Sequence, residues 1–451
     1  MNSLQNANDY ILKFKENVNV KYRLKYHMSP PVGWMNDPNG LVYFGGKFHL
    51  YYQYYPYDTT NGVMYWGHFV SEDLITYEDA GVALAPERNG ENIFSGGAVE
   101  KDGKLYVLYT RHFEHYGTKT EEIYCAVSTD GNSFTHVGRV FDNQTLPENL
   151  SRTDFRDPCP VKVGDKYYVF VGGKDTCTDR GVIIVLGGSP DKLEYRFTIG
   201  PFYELGDMGE CPSYSRVDGK DVLVASGCNV KQRGNDFKNV NSSVFIVGDL
   251  DFESGSMKVD FIREIDKGDT FYAPQFINGI QSPVMIGWLE MWGKRYATHE
   301  WGHGWVGAFS VPRMLEFRNG EIYQSPVGFI DKYCVPAKKG ELPKCARITA
   351  RFNGKGAIKI TAENGGFVVG NDGGVYLDTS EANNLNGCVR KTNSVYCACE
   401  TLILLDESSI EVFVDGGSEV ISSRIYLDGA YAVETQGAAE IESIMETGIR
   451  Q

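Results

Sequence analysis

The sequence predicts an all-β chain, a β-propeller followed by a β-sandwich. Three observations carry this. The chain has 51 Gly, 28 Tyr and 24 Phe; aromatic and glycine richness without low complexity belongs to many short strands joined by tight turns. Between residues 27 and 330, short alternating or apolar runs recur between Gly, Asp and Asn turn signals. No convincing helix interrupts that stretch, so the crossovers of a parallel sheet are missing and the sheets must be antiparallel.

With 451 residues, two domains are expected. Residues 1–26 read as a helical extension: residues 1–18 form an amphipathic helix with Tyr10, Ile11, Phe14 and Val18 on one face and Ser3 as cap. Residues 27–335 follow as the propeller. Lys101-Asp102-Gly103-Lys104 and Val163-Gly164-Asp165-Lys166 are hairpin turns, each leading into an apolar run. Repeated hairpins over about 300 residues fit four-stranded blades around a channel, whereas a large sandwich needs fewer strands. Residues 329–343 hold Lys, Pro and Gly and read as a linker. Residues 336–451 alternate over shorter units and have the size of a β-sandwich; support rather than chemistry is expected of them.

The formal net charge of −15 argues against a nucleic-acid partner, whose phosphates would be repelled. Neutral sugars tolerate an acidic protein. No apolar run approaches the ~20 residues of a membrane helix, and the N-terminus lacks a signal-peptide pattern. With a native start the expectation is a cytoplasmic protein, its ten cysteines free thiols and its sequons at Asn143, Asn149 and Asn241 without meaning. The sequence sets no oligomeric state.

Three acidic residues point to chemistry. Asp37 lies in Gly33-Trp34-Met35-Asn36-Asp37-Pro38-Asn39-Gly40, Asp157 in Phe155-Arg156-Asp157-Pro158, and Glu210 in Gly209-Glu210-Cys211-Pro212. Flanking Gly, Pro and aromatics place them on turns or strand ends. Each has a plain structural reading: a β-turn for Asp37, an ion pair or Asx turn for Asp157, a surface loop for Glu210. The functional reading is that cleavage at a sugar carbon needs carboxylates on both sides of the bond. A general acid needs a raised pKa, and an apolar wall around Glu210 would supply it.

These stretches, with Tyr52-Gln53-Tyr54, Trp66-Gly67-His68, Phe94-Ser95-Gly96, Phe271-Tyr272-Ala273-Pro274-Gln275 and Val311-Pro312-Arg313, resemble glycoside hydrolase family 32, the β-fructofuranosidases. The resemblance implies a five-bladed propeller and a cofactor-free, metal-free retaining glycosidase acting on a small carbohydrate: sucrose, short fructo-oligosaccharides or sucrose-6-phosphate. It implies Asp37 as nucleophile, Glu210 as general acid/base and Asp157 as transition-state stabiliser. Asn36, Gln53, Ser95 and Arg156 would line the fructose pocket, with Trp34, Phe94 and Tyr272 as walls and Trp66 also in contact with substrate. An exo-fructanase, a transfructosylase and an inactive sugar-binding propeller are the alternatives; related five-bladed arabinan hydrolases are inverting.

Three departures are expected at the pocket mouth, where the leaving group binds. Asn61 or Gly62 replaces a Trp, Gly97 replaces a Ser, and Arg111 replaces a Gly. The rim is completed by polar loops over residues 111–122 and 231–241. His299-Glu300-Trp301-Gly302-His303 matches H-E-x-x-H, but that zinc pattern needs a helix and Gly302, Gly304 and Gly307 oppose one. His112-Phe113-Glu114-His115 reads as a solvated loop, and Cys397-Ala398-Cys399 as strand thiols.

Overall fold

In a computed structural model, residues 3–115, 117–328 and 332–449 are described. Residues 329–331 of the expected linker and residues 1–2 of the expected helix lie outside them.

Five antiparallel four-stranded blades form the propeller. Their innermost strands are Gly33–Phe44, Glu91–Lys101, Leu150–Val163, Gly209–Val217 and Tyr272–Phe276, each in contact with the next and the last with the first. The ring is closed by Trp305–Val306, a short strand lying parallel to Gly33 and Trp34. Turn chemistry explains the hairpins: at Asp102-Gly103, Asp218-Gly219 and Asn319-Gly320 both residues have positive φ, the conformation that matches the twist of a two-residue hairpin.

Apolar side chains fill the gaps between neighbouring blades. Leu108, Val169 and Val182 pack between the second and third; Phe170, Leu223 and Ile246 between the third and fourth. The N-terminal helix, Leu4–Phe14, lies on the outermost strand of the first blade, Glu78–Leu84, and adds Ala7 and Ile11 to a core that holds residues of the first and fifth blades. It is capped by Ser3, whose Oγ accepts from the backbone N–H of Asn6 at 3.1 Å. The α-helix ends at Phe14, before Val18, and one 3-10 turn follows.

The C-terminal domain is organised by two long strands, Ala346–Ala362 and Ala432–Thr447. The first half of Ala346–Ala362 pairs with Cys399–Asp406 and the second half with Gly365–Asn371, the register breaking between Phe352 and Gly356. The strand thereby belongs to both faces of the sandwich, around a core that includes Ile348, Ile360, Val369, Ile403 and Val412. Cys334–Pro336, inside the stretch read as a linker, pairs with the end of Ala432–Thr447.

The two domains meet through buried charge. Arg313, fully buried, reaches Asp266 at 2.9 Å and Glu411 at 2.5 Å. His27 bridges Asp406 and Glu411, 2.8 Å from each. Arg313 and Glu411 thus tie the last blade to the sandwich, which is the work that the Val311-Pro312-Arg313 stretch does.

Candidate active site

Each innermost strand carries a register irregularity at a candidate site residue. The breaks fall between Met35 and Pro38, Phe94 and Gly96, Arg156 and Cys159, Glu210 and Ser213, and Tyr272 and Gln275. A bulge re-aims side chains and strengthens local twist. Three of these breaks hold non-glycine residues with positive φ: Asp157 at 64°, Cys211 at 47° and Ala273 at 49°. Such strain persists where surrounding structure enforces it. A proline within each, at Pro158, Pro212 and Pro274, removes a ladder donor where pairing is already broken.

These bulges aim residues of four innermost strands at one end of the channel, with Tyr272 of the fifth on Glu210 behind them. A cavity of about 190 Å³ there is lined by Asn36, Asp37, Gln53, Asn61, Met64, Phe94, Ser95, Arg156, Asp157, Glu210, Cys228, Asn241 and Trp292. Asp37, Asp157 and Glu210 therefore meet, although they are far apart in sequence. Asp37 Oδ2 accepts from Ser95 Oγ at 2.8 Å. Its other oxygen, Oδ1, is buried with no hydrogen-bond partner among the described residues. Asp157 Oδ2 accepts from the Cys211 backbone N–H at 2.9 Å. The Cys211 thiol lies between the two, 3.6 Å from Asp37 Oδ2 and 3.4 Å from Asp157 Oδ2.

The electrostatics of Glu210 differ from the sequence expectation. Its neighbours are not an apolar wall. Arg156 donates to Glu210 Oε1 from Nε at 3.0 Å and Nη2 at 2.6 Å, and Tyr272 OH donates to Oε2 at 2.5 Å. Burial pushes the Glu210 carboxyl up, but the Arg156 charge and these hydrogen bonds outweigh it and hold the carboxyl below its ordinary 4.5. The other two acids move the opposite way. Burial pushes Asp37 up to about 6. Burial, reinforced by the charges of Glu210 and Asp37 and opposed by Arg156, takes Asp157 to about 7. Burial thus favours the neutral form at the two aspartates, and Arg156 favours the charged form at Glu210.

Of the expected aromatic walls, Phe94 lines the cavity, stacked on His112 at 4.2 Å. The other two expected walls, Trp34 and Tyr272, and Trp66, expected to contact substrate, are not among its lining and are buried. Their polar atoms explain why. Trp34 Nε1 donates to Asn36 Oδ1 at 2.8 Å, Trp66 Nε1 to the Phe94 carbonyl at 3.0 Å, and Tyr272 to Glu210. They orient the lining rather than form it. Gln53 lines the cavity and donates to the Ile93 carbonyl at 2.9 Å.

The mouth also differs from expectation. A Cβ on Gly97 would meet Pro160 Cδ at 2.7 Å and Cys159 Cα at 3.0 Å, so this glycine lets the second and third blades approach and is no part of the mouth. Arg111 does not line the cavity either; it is paired with buried Glu91 at 2.8 Å. Residues 111–115 and 118–122 belong to a strand pair, Lys104–His115 with Thr118–Ser128, and not to a loop. Its alternation of polar residues hid it. His112 is buried against Glu121 at 3.3 Å rather than solvated. Glu121 in turn holds Arg156 Nη1 at 3.2 Å. The α-turn at His299 ends at Glu300, Gly302 has φ 67°, and His303 stacks on Tyr22, so the two histidines share no helix face.

Trp292, Met64, Cys228 and Asn241 were not singled out for the cavity. For Trp292 a signal existed, an aromatic before a turn glycine in Met291-Trp292-Gly293. The rim that holds Asn241 and Trp292 is braced from the sandwich: Arg390 Nη2 donates to Asn239 Oδ1 at 2.5 Å, and Asn386 Nδ2 to the Arg295 carbonyl at 2.7 Å.

Comparison with known proteins agrees with this architecture. Residues 27–326 match the glycosyl hydrolases family 32 N-terminal domain, and residues 386–445 the family's C-terminal domain. The chain is 30% identical to a sucrose-6-phosphate hydrolase of Bacillus subtilis, covering 95% of this chain and 94% of the relative. It is 30% identical to a raffinose invertase of Escherichia coli, covering 89% of each. The structure of a family 32 beta-fructofuranosidase from Bombyx mori superposes with a TM-score of 0.87 at 31% identity, covering 99% of this chain and 98% of that one. With blades, sandwich and sequence in accord, the chain belongs to glycosyl hydrolase family 32.

Proposed function

We propose that this chain hydrolyses terminal non-reducing β-D-fructofuranosides with retention, through a fructosyl-enzyme. The observation that carries the reading is Asp37. It is a buried carboxylate on a cavity shared with two further acids, one oxygen fixed by Ser95 and the other without a partner among the described residues. A fixed carboxylate with a free lone pair is what a nucleophile requires.

Asp37 Oδ1 attacks the anomeric carbon of the fructosyl unit. The bond from that carbon to the leaving oxygen breaks, its electron pair stays on the oxygen, and Glu210 supplies the proton. Water then attacks the same carbon, Glu210 takes a proton from it, and the ester bond returns its electrons to Asp37. Asp157 holds fructose hydroxyls and stabilises the positive charge that develops at the anomeric carbon. One glycosidic bond and one water yield two sugars, and no step calls for a metal or cofactor.

Arg156 and Tyr272 favour the ionised form of Glu210, whereas the first step needs its proton. Arg156 and Tyr272 fix where Glu210 points at the expense of how often it is protonated.

The printed names of relatives support the substrate class: sucrose-6-phosphate hydrolase, raffinose invertase, and a Bombyx mori mutant enzyme in complex with sucrose. Ten cysteines outside any disulfide support a cytoplasmic setting, and no helix among the described residues is long and apolar enough to cross a membrane. The test is release of glucose and fructose from sucrose by the purified protein and by Asp37→Asn. The variant should fold and lose more than about a hundredfold in rate. A folded variant that keeps more than that removes Asp37 from the role.

A further inference from the structure

Several relatives are sucrose-6-phosphate hydrolases by name, which makes the charge at the cavity mouth decisive. A phosphate dianion is held by guanidinium or ammonium groups free to turn towards it. Among the described residues lining the cavity Arg156 is the one cation, and its three nitrogens already serve Glu210 and Glu121.

Five cations around the mouth hold ion pairs, Arg233 with Glu204 at 2.7 Å among them, whereas Lys231 on the same rim is exposed and its charge is screened by solvent. Arg111 pairs with Glu91 at 2.8 Å and lies over the Tyr124 ring, 4.8 Å from its centroid. Lys119 sits 3.0 Å from both Glu121 and Asp154. Lys294 is 2.5 Å from Asp269, and Arg295 is 3.0 Å from Glu300. Glu91, Glu121 and Asp269 are no more than 2% exposed. Drawing Arg111 from Glu91, or Lys294 from Asp269, leaves a buried carboxylate without its ion-pair partner, which costs more than a solvent-screened phosphate contact returns. The whole chain, at −15, adds repulsion.

The groups that line the mouth itself beside Arg156 and the acids are neutral. Asn61, exposed on the cavity, is with Gly62 one of the two residues at the position where the family pattern has Trp. Asn241 Oδ1 is fixed by the Asn229 backbone N–H at 3.1 Å. Trp292 is half-buried, its ring stacked on Trp34 at 5.9 Å and 27°. An indole face with two amides beside it suits a sugar ring and its hydroxyls, since an amide both donates and accepts.

Resting on the fructosidase reading above, we infer that the leaving-group subsite takes an uncharged sugar and discriminates against a 6-phosphorylated one, with Asn61, Asn241 and Trp292 setting that preference.

The experiment compares kcat/KM on sucrose and sucrose-6-phosphate at low and high salt, for the wild type, Asn61→Lys and Trp292→Ala. In the wild type sucrose should be favoured by about tenfold or more, and the phosphorylated substrate should not weaken as salt rises, because screening relieves a repulsion. Asn61→Lys should narrow the gap and bring in a salt-sensitive gain on sucrose-6-phosphate. Trp292→Ala should lose more on sucrose than on fructosyl fluoride, which has no leaving sugar. Equal or better use of sucrose-6-phosphate by the wild type, falling with salt, overturns the inference and leaves the fructosidase reading standing. Equal losses of Trp292→Ala on both substrates overturn its assignment to the subsite. Cleavage of none of the fructosides overturns the activity itself, and the inference with it.

Discussion

Replacing Asp37 with Asn should stabilise the protein while it removes turnover, and the gain should depend on pH in a defined way. Burial raises the Asp37 carboxyl from 3.8 to about 6. A group whose folded-state pKa is raised favours the fold fully below its unfolded pKa and loses that contribution as pH rises through the folded one. Above about pH 7 the folded protein therefore carries an ionised, buried carboxylate at a cost of about 3 kcal/mol, taking ~1.4 kcal/mol per pKa unit. At pH 5 the cost is about half of this, and near pH 3 it vanishes. The amide has the same shape and no charge. It also relieves Asp157, whose carboxyl the Asp37 charge helps to raise. Thermal unfolding of the wild type and Asp37→Asn at pH 5 and pH 7.5 reads this directly. We expect a midpoint higher by on the order of 5 °C at pH 7.5 and by roughly half that at pH 5. A variant no more stable than the wild type, or a gain that shrinks as pH rises, would refute the claim that burial dominates at Asp37.

Two further outcomes follow from the same geometry. With Glu210 held below its ordinary 4.5 by Arg156 and Tyr272, kcat/KM should fall as pH rises towards neutrality, because Glu210 loses the proton it must donate; a plateau reaching about pH 8 would show that Glu210 keeps its proton at neutrality. Arg313→Ala removes the guanidinium shared by buried Asp266 and Glu411, leaving them to Ser422 and His27, and should destabilise by about 3 kcal/mol, with denaturant titration as the check; a loss under about 1 kcal/mol would show that the network is dispensable.

The blades were legible because their turns are chemically explicit. Asp102-Gly103 and Asp218-Gly219 need positive φ at both residues, and the sequence supplies residues that accept it. The acids were legible because Asp37, Asp157 and Glu210 lie beside prolines that mark where strand pairing breaks. Three things were not legible. The strand pair across residues 111–115 and 118–122 carries charged residues on both strands, and their partners, Glu91 and Asp154, come from elsewhere in the chain. Gly97 looked like a mouth substitution because the approach of Pro160 is a long-range fact. The environment of Glu210 looked apolar because its immediate neighbours are Cys and Pro, whereas its charge is set by Arg156, 54 residues away in sequence, and Tyr272. In each case the missing information is which distant side chain arrives, and local pattern does not encode that.

The most direct test of the account is to trap the fructosyl ester. Glu210→Gln cannot activate water, while fructosyl fluoride needs no acid to release its leaving group, so the first step should outrun the second and the ester should accumulate. Digestion at acidic pH and peptide mass spectrometry then locate the adduct. The account expects one fructosyl unit on the peptide containing Asp37, absent when Asp37→Asn is combined with Glu210→Gln. Rapid turnover without any adduct, or an adduct on the peptide of Asp157 instead, would contradict it.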